Sequence, residues 1–270
     1  MRPIAKRNRL ILTNLTLIDI ISVAKTPLFL FNMRNLYDIA GITVLIEYKY
    51  GYTAKFLSDY IVYDKEPEIF ISCTDKELLS ELEVSEIKII EVVENACILR
   101  KLASILLKNY NTVLFHASAI CYKGNAYLFT APSGTGKSTH AKFLKELLND
   151  EIKYINDDKP FIKYDDKISK FIVYGSPWNG KHRLSNNVNF PLKAIIKLER
   201  GETNEVEKIS STSVLNLLLE QAYLNKTEEE TLKLLDIINL LFSKTEFYKL
   251  KCKAELESAK VTFNKILKGE

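Results

Sequence analysis

Ala131-Pro132-Ser133-Gly134-Thr135-Gly136-Lys137-Ser138-Thr139 follows an apolar run, Ala126 to Thr130. It precedes a stretch in which Ala141, Leu144 and Leu148 recur at helical spacing. Strand, glycine-rich turn and helix are the setting of a phosphate loop, G-x-x-x-x-G-K-[ST], with Ala131 here in place of the first glycine. Glycines let the backbone curl until successive N–H groups point inward at an anion. The helix that follows adds the positive end of its dipole. On this reading Ser133, Gly134, Thr135, Gly136, Lys137, Ser138 and Thr139 cradle the phosphates of ATP. Lys137 reaches the β- and γ-phosphates and Ser138 holds Mg²⁺. Ala131 removes conformational freedom at the start of the loop but no phosphate-binding group.

Downstream, Ile152 to Ile155 reads as a strand that ends at Asn156-Asp157-Asp158. Ligands of open α/β sheets bind outside the carboxyl ends of strands. Two carboxylates there are placed to hold Mg²⁺ and to take a proton from an attacking hydroxyl. Adjacent strand residues face opposite ways, so the two aspartates are expected to divide these roles. Upstream, Thr112 to Ile120 reads as one strand, hairpin-paired with Ala126–Thr130 across Lys123-Gly124-Asn125, and it carries His116. His140, in the first turns of the helix after the loop, is expected to be a partly exposed helix residue. Gly175-Ser176-Pro177-Trp178-Asn179-Gly180-Lys181-His182-Arg183 reads as a loop with a basic end. Lys181, His182 and Arg183 suit an anionic ligand, and equally a solvated turn.

The rest of the chain sets limits. Its 270 residues are 47% hydrophobic and 27% charged, which excludes disorder, collagen and coiled coil as global descriptions. A net charge of +4 gives no argument for nucleic acid. Cys73, Cys97, Cys121 and Cys252 form no CxxC pair, so neither a zinc site nor a disulfide framework is expected, and a reducing, cytoplasmic compartment fits. Met1 to Ala24 has the outline of a signal peptide, but Asn14, Thr16 and Asp19 interrupt its apolar part. No apolar run has the ~20 residues of a membrane span. The segment 1–90 is expected to be a small β-rich domain, with strands at Ile42–Ile46, Ile61–Tyr63 and Ile69–Cys73. The segment 91–270 opens with a helix carrying Ile98, Leu102, Ile105 and Leu106, and has further strands at Phe171–Tyr174 and Ala194–Leu198. It closes with a helix capped by Thr227 and Glu230, a strand at Phe247–Cys252 and a last helix from about Ala254.

Taken in order, Phe115-His116-Ala117-Ser118-Ala119, the phosphate loop, Asn156-Asp157-Asp158, Gly175 to Lys181 and Pro191-Leu192-Lys193-Ala194-Ile195 resemble the kinase domain of HPr kinase/phosphorylase. The chain is similar in particular to HPr-kinase-like serine kinases, including those acting on lasso-peptide precursors. The resemblance covers roughly residues 90 to 265. It implies an α/β, P-loop kinase core of the type shared with ATP-dependent phosphoenolpyruvate carboxykinase. It also implies that Asp157 is the general base, that Asp158 lies beside it near the metal, and that His116 lies close to the transferred phosphate. Lys137 and Lys181 complete the expected catalytic set. One family feature is missing: a glutamate beside an Arg-Gly pair, where this chain reads Ile172-Val173-Tyr174-Gly175. The second metal ligand, the phosphorolysis reaction and HPr as substrate are therefore not carried over. The expected activity is an ATP- and Mg²⁺-dependent kinase for a serine of a peptide or small protein, with no nucleic-acid or membrane partner. The alternatives are a non-catalytic nucleotide-binding module and a small-molecule kinase.

Overall fold

The computed structural model describes residues 32–225 and 227–268. The Met1–Ala24 stretch weighed above as a signal peptide lies outside the described residues. The described chain opens with β1 (Met33–Ile39) and β2 (Ile42–Tyr48), a tight hairpin. Its turn residues Ala40 and Gly41 have φ of +55° and +69°. After α1 (Gly51–Leu57) come β3 (Ile61–Val62), β4 (Ile69–Ile71) and α2 (Asp75–Val84). The four strands form one sheet in the order β3-β1-β2-β4. The segment expected to be β-rich therefore carries two helices as well.

The alternating inward residues of this sheet, Tyr37, Ile39, Val44 and Ile46, pack on α3 (Ile90–Tyr110) through Ile98, Leu102 and Leu106. At 1.5 Å per residue, α3 is roughly 31 Å long. Leu107, near its end, reaches the core of a second, nine-stranded sheet.

That larger sheet is built from β5 (Thr112–Leu114), β6 (Ala117–Tyr122), β7 (Asn125–Thr130), then, after α4 (Lys137–Leu148), β8 (Ile152–Asn156), β9 (Phe161–Asp165), β10 (Lys170–Tyr174), β11 (Asn189–Arg200) and β12 (Glu205–Lys208). Two helices follow, α5 (Leu215–Gln221) and α6 (Glu228–Lys244), then β13 (Glu246–Cys252) and α7 (Leu256–Thr262). One run of the sheet is β8-β6-β7-β11-β13-β12, and β5-β9-β10 joins it at the start of β11. Strand β11 serves three neighbours in turn: Asn189–Pro191 pair with β10, Leu192–Lys197 with β7, and Ala194–Arg200 with β13.

Both faces of the central strands are covered, so they are apolar throughout rather than alternating. On β7, Ala126 and Leu128 face α5 and α6 through Leu218, Leu234, Ile238 and Leu241. Tyr127 and Phe129 face α4 and α7 through Ala141, Leu144 and Ala259. The fold is a mixed α/β sandwich.

Strand direction positions the site. β7 and β8 are each antiparallel to β6, so their carboxyl ends lie on one edge of the sheet, where β6 begins. β11 runs parallel to β7, and β13 parallel to β11, so their carboxyl ends lie there too. Among the described residues, no helix is long and apolar enough to cross a membrane. All four cysteines are free and buried.

Candidate functional site

The turn between β7 and α4 is curled at two glycines, Gly134 (φ +79°) and Gly136 (φ +117°). Open space surrounds the position of a Cβ at either one, so the requirement for glycine is conformational. Lys137 is buried, and its ammonium donates to the carbonyls of Ala131 at 2.9 Å and Pro132 at 3.4 Å. Burial lowers its pKa to about 8, against the nearby Asp158 charge, which raises it. Ser133 and Thr139 are exposed, and Thr135 closes the turn by donating to the Pro132 carbonyl at 2.8 Å. Arg200, at the end of β11, holds the loop from outside by donating to the carbonyls of Gly134 and Thr135.

Ser138 Oγ donates to the Asp157 carbonyl at 3.2 Å, which joins the loop to the end of β8. Asn156 organises that end. Its Oδ1 accepts from the N–H groups of Asp158 (2.8 Å) and Lys159 (2.6 Å), and its Nδ2 donates to the Ser176 carbonyl at 2.9 Å. The two aspartates then diverge. Asp157 is 2% exposed, and its Oδ1 accepts from the Gly180 N–H at 2.7 Å. Its Oδ2 is buried and has no hydrogen-bond partner among the described residues. Burial pushes its carboxyl above the usual carboxylate range, and the Gly180 N–H opposes that shift. A Cβ on residue 180 would stand 3.0 Å from Asp157 Oδ2, so glycine there permits the close approach.

Asp158 faces His116 Nε2 at 3.3 Å and forms an ion pair with Lys159. The expected single strand over Thr112–Ile120 is in fact two, β5 and β6, and His116 lies in the break. Its N–H donates to the Gln221 carbonyl at 2.9 Å, and the next N–H, of Ala117, donates to the Asp158 carbonyl at 3.0 Å. These long-range partners take the hydrogen bonds that a continuous strand would have used. His116 Nδ1 lies 2.9 Å from Gln221 Oε1. Burial first, and the Lys137 charge next, lower the imidazole pKa to about 4, so the ring is neutral at pH 7. A neutral ring donates from one nitrogen only. Gln221 Oε1 can only accept, so Nδ1 carries the proton and donates to it, and Nε2 is left unprotonated beside Asp158.

Lys137, Ser138, Asp157, Asp158 and His116 thus meet at one edge of the sheet. Lys181, His182 and Arg183 are exposed just beyond Gly180, and Lys181 makes no hydrogen bond or ion pair within the described structure. Gln221, Asn156, Gly180 and Arg200 were not anticipated as site residues. Asn156 had a usable signal, since an asparagine closing a strand before Asp-Asp-Lys-Pro favours an Asx turn. Gln221 lies 105 positions from His116 and had none.

His140 corrects an expectation. It is 3% exposed, and its ring nitrogens lie 3.2 Å from Ser258 Oγ and 2.9 Å from Thr262 Oγ1, both on α7. Burial lowers its pKa from 6.5 to about 4. Between those values the unfolded chain binds a proton that the folded chain refuses, so stability falls as pH drops from about 6.5 to about 4. The loss attributable to this ring is roughly 3 kcal/mol. Urea unfolding at pH 7 and pH 4.5 is expected to show a smaller acid loss for His140→Gln than for the wild type. An equal loss in both would show that the ring does not carry it.

Beside the loop 131–139, on the side away from the aspartates, lies an open cleft of about 530 Å³. Thr139, Phe143, Leu198, Arg200, Glu202 and Lys253 contribute to its lining. No cluster of three or more His, Cys, Asp or Glu side chains suited to a metal occurs among the described residues.

No protein-family model matches the chain, and no curated protein matches it. Among solved structures the chain is similar to the HPr(Ser) kinase/phosphatase from Coxiella burnetii. The two are 13% identical, the match covers 57% of this chain and 97% of that chain, and the TM-score is 0.34. A likeness of that extent leaves the chemistry to be argued from this chain's own residues.

Proposed function

We propose that this protein is an ATP- and Mg²⁺-dependent kinase that phosphorylates a serine hydroxyl of a peptide or small protein. The observation that carries this reading is the Asp157 carboxylate. It is buried beside the phosphate loop, held by the Gly180 N–H on one oxygen, and without a described partner on the other. A buried, unpartnered carboxylate oxygen with a raised proton affinity suits a general base.

The loop N–H groups and Lys137 bind the phosphates. The adjoining cleft, with its apolar floor at Phe143 and Leu198 and charged rim at Arg200, Glu202 and Lys253, suits the nucleoside. The acceptor hydroxyl then approaches from the opposite side of the loop, where Asp157 Oδ2 takes its proton as the new O–P bond forms and ADP leaves. Ser138 and Asp158 would hold Mg²⁺, which neutralises phosphate charge when bound. His116, held at Nδ1 by Gln221, stays neutral beside Asp158. Most of the rate enhancement comes from positioning and charge neutralisation.

Intact-mass analysis tests this reading. Candidate precursor peptides and HPr, each incubated with the protein, ATP and Mg²⁺, are expected to yield at least one product heavier by one phosphate. The Lys137→Ala variant is expected to yield none. Nucleotide binding without transfer to any of them would favour the non-catalytic module or a small-molecule acceptor.

A further inference from the structure

The chain's single tryptophan, Trp178, lies two residues before Gly180, the glycine that holds Asp157. Its side chain leaves the catalytic loop altogether. It is 4% exposed and packs in the core shared by the four-stranded sheet and α3. Its ring lies 6.4 Å from that of Phe56 on α1, and Phe56 stacks on Tyr52 at 5.9 Å. The indole N–H is buried and has no hydrogen-bond partner among the described residues, so packing alone fixes the ring. The backbone around it is fixed from the opposite side. Asn156 Nδ2 donates to the carbonyls of Ser176 at 2.9 Å and Trp178 at 3.4 Å, and Ser176 Oγ donates to the Lys159 carbonyl at 2.6 Å. The stretch Ser176–Gly180 is therefore suspended between the aspartate turn and the small sheet's core.

We infer that Trp178 is a positioning residue, through which α1 of the small-sheet region sets the Gly180 N–H against Asp157. The inference rests on the kinase reading for its kinetic consequence, but not for its structural one. The phosphate loop lies outside this suspension, so a disturbance at Phe56 reaches the acceptor side of the site and leaves nucleotide binding alone. Displacements near 1 Å cost up to ~100-fold in rate.

The test uses the full chain and two substitutions outside the catalytic machinery, Phe56→Ala and Phe56→Leu. For Phe56→Ala, kcat is expected to fall roughly 10- to 100-fold with the KM for ATP within about twofold of wild type. Phe56→Leu, which refills most of the space, is expected to recover most of the loss, as is Trp178→Phe relative to Trp178→Ala. A lower melting temperature with unchanged kcat in the folded fraction would reduce Phe56 to a packing residue and overturn the inference. So would a rise in the ATP KM matching the fall in kcat.

Because Trp178 is the only tryptophan, its emission reports this junction directly. Phe56→Ala is expected to shift that emission to the red and to move the Gly180 amide resonance, identified by its response to Asp157→Asn. If wild-type protein transfers no phosphate, the kinase reading fails and these two spectra still decide the linkage. An unmoved Gly180 resonance would overturn it.

Discussion

Asp157→Asn is expected to lower kcat by roughly 10²- to 10⁴-fold, the usual contribution of a positioned general base. It is also expected to raise the midpoint of thermal unfolding at neutral pH. The substitution keeps the shape of the side chain, and the amide oxygen can still accept from the Gly180 N–H. What it removes is a charge that the fold buries at a cost. Burial raises the carboxyl pKa above its ordinary value of 3.8. The folded chain therefore holds this proton more tightly than the unfolded chain does. Stability is lost as pH climbs from the unfolded value through the folded one. The asparagine variant escapes it. Steady-state kinetics and melting curves on the same preparations check both halves. A variant with wild-type kcat would remove Asp157 from the mechanism, and a lower melting midpoint would mean that its charge is well compensated.

Glu94→Ala is expected to have the largest effect on stability, a loss of about 2–4 kcal/mol, because one buried donor and two part-buried ones are left without an acceptor. Glu94 is 1% exposed and lies on α3. Its Oε1 accepts from the Lys49 N–H at 2.7 Å, and its Oε2 accepts from the Tyr50 N–H at 3.3 Å and from Thr53 Oγ1 at 2.6 Å. These groups frame the start of α1, whose own N-cap residue, Tyr50, makes no side-chain cap. A carboxylate at that end also complements the helix dipole. Burial raises the Glu94 pKa, opposed by those same donors. Urea unfolding is expected to show the full loss for Glu94→Ala and a smaller one for Glu94→Gln, which keeps one accepting oxygen. Equal stability of wild type and Glu94→Ala would show that water enters and satisfies the donors.

The contrast between these two carboxylates shows what the sequence could reveal. The turn at Asp157 was legible because its neighbours carry local signals: an apolar strand before it and a doubled aspartate. The curled turn between β7 and α4 was legible because Gly134 and Gly136 stand where φ is positive. Glu94 was not legible, because its work is done 41 to 45 positions away. α1 went unseen for the same reason: Gly51, Tyr52 and Thr53 are indifferent helix formers, and the missing cap arrives from another helix. The Thr227–Glu230 box proved half right. Thr227 Oγ1 accepts from the Glu230 N–H at 3.2 Å, but the Glu230 carboxylate turns to Ser104 and Asn225. Among the described residues, a complete capping box forms at Thr74 and Glu77. Strand β9, directly after Pro160, was missed as well, and the break at His116 was hidden because Gln221, far along the chain, creates it.

The pairing of His140 with Ser258 and Thr262 has a consequence for the order in which the molecule is made. On a ribosome the phosphate loop and α4 emerge more than 100 residues before their α7 partners, since the His140–Ser258 separation is 118 positions. Until then His140 packs only on Phe129 and its ring nitrogens have no partner. The parts that contact the nucleotide in our reading are therefore synthesised well before their backing. A nascent chain still short of α7 would carry the signature loop without the firm support it needs, so ligand capture would await α7 rather than begin the folding.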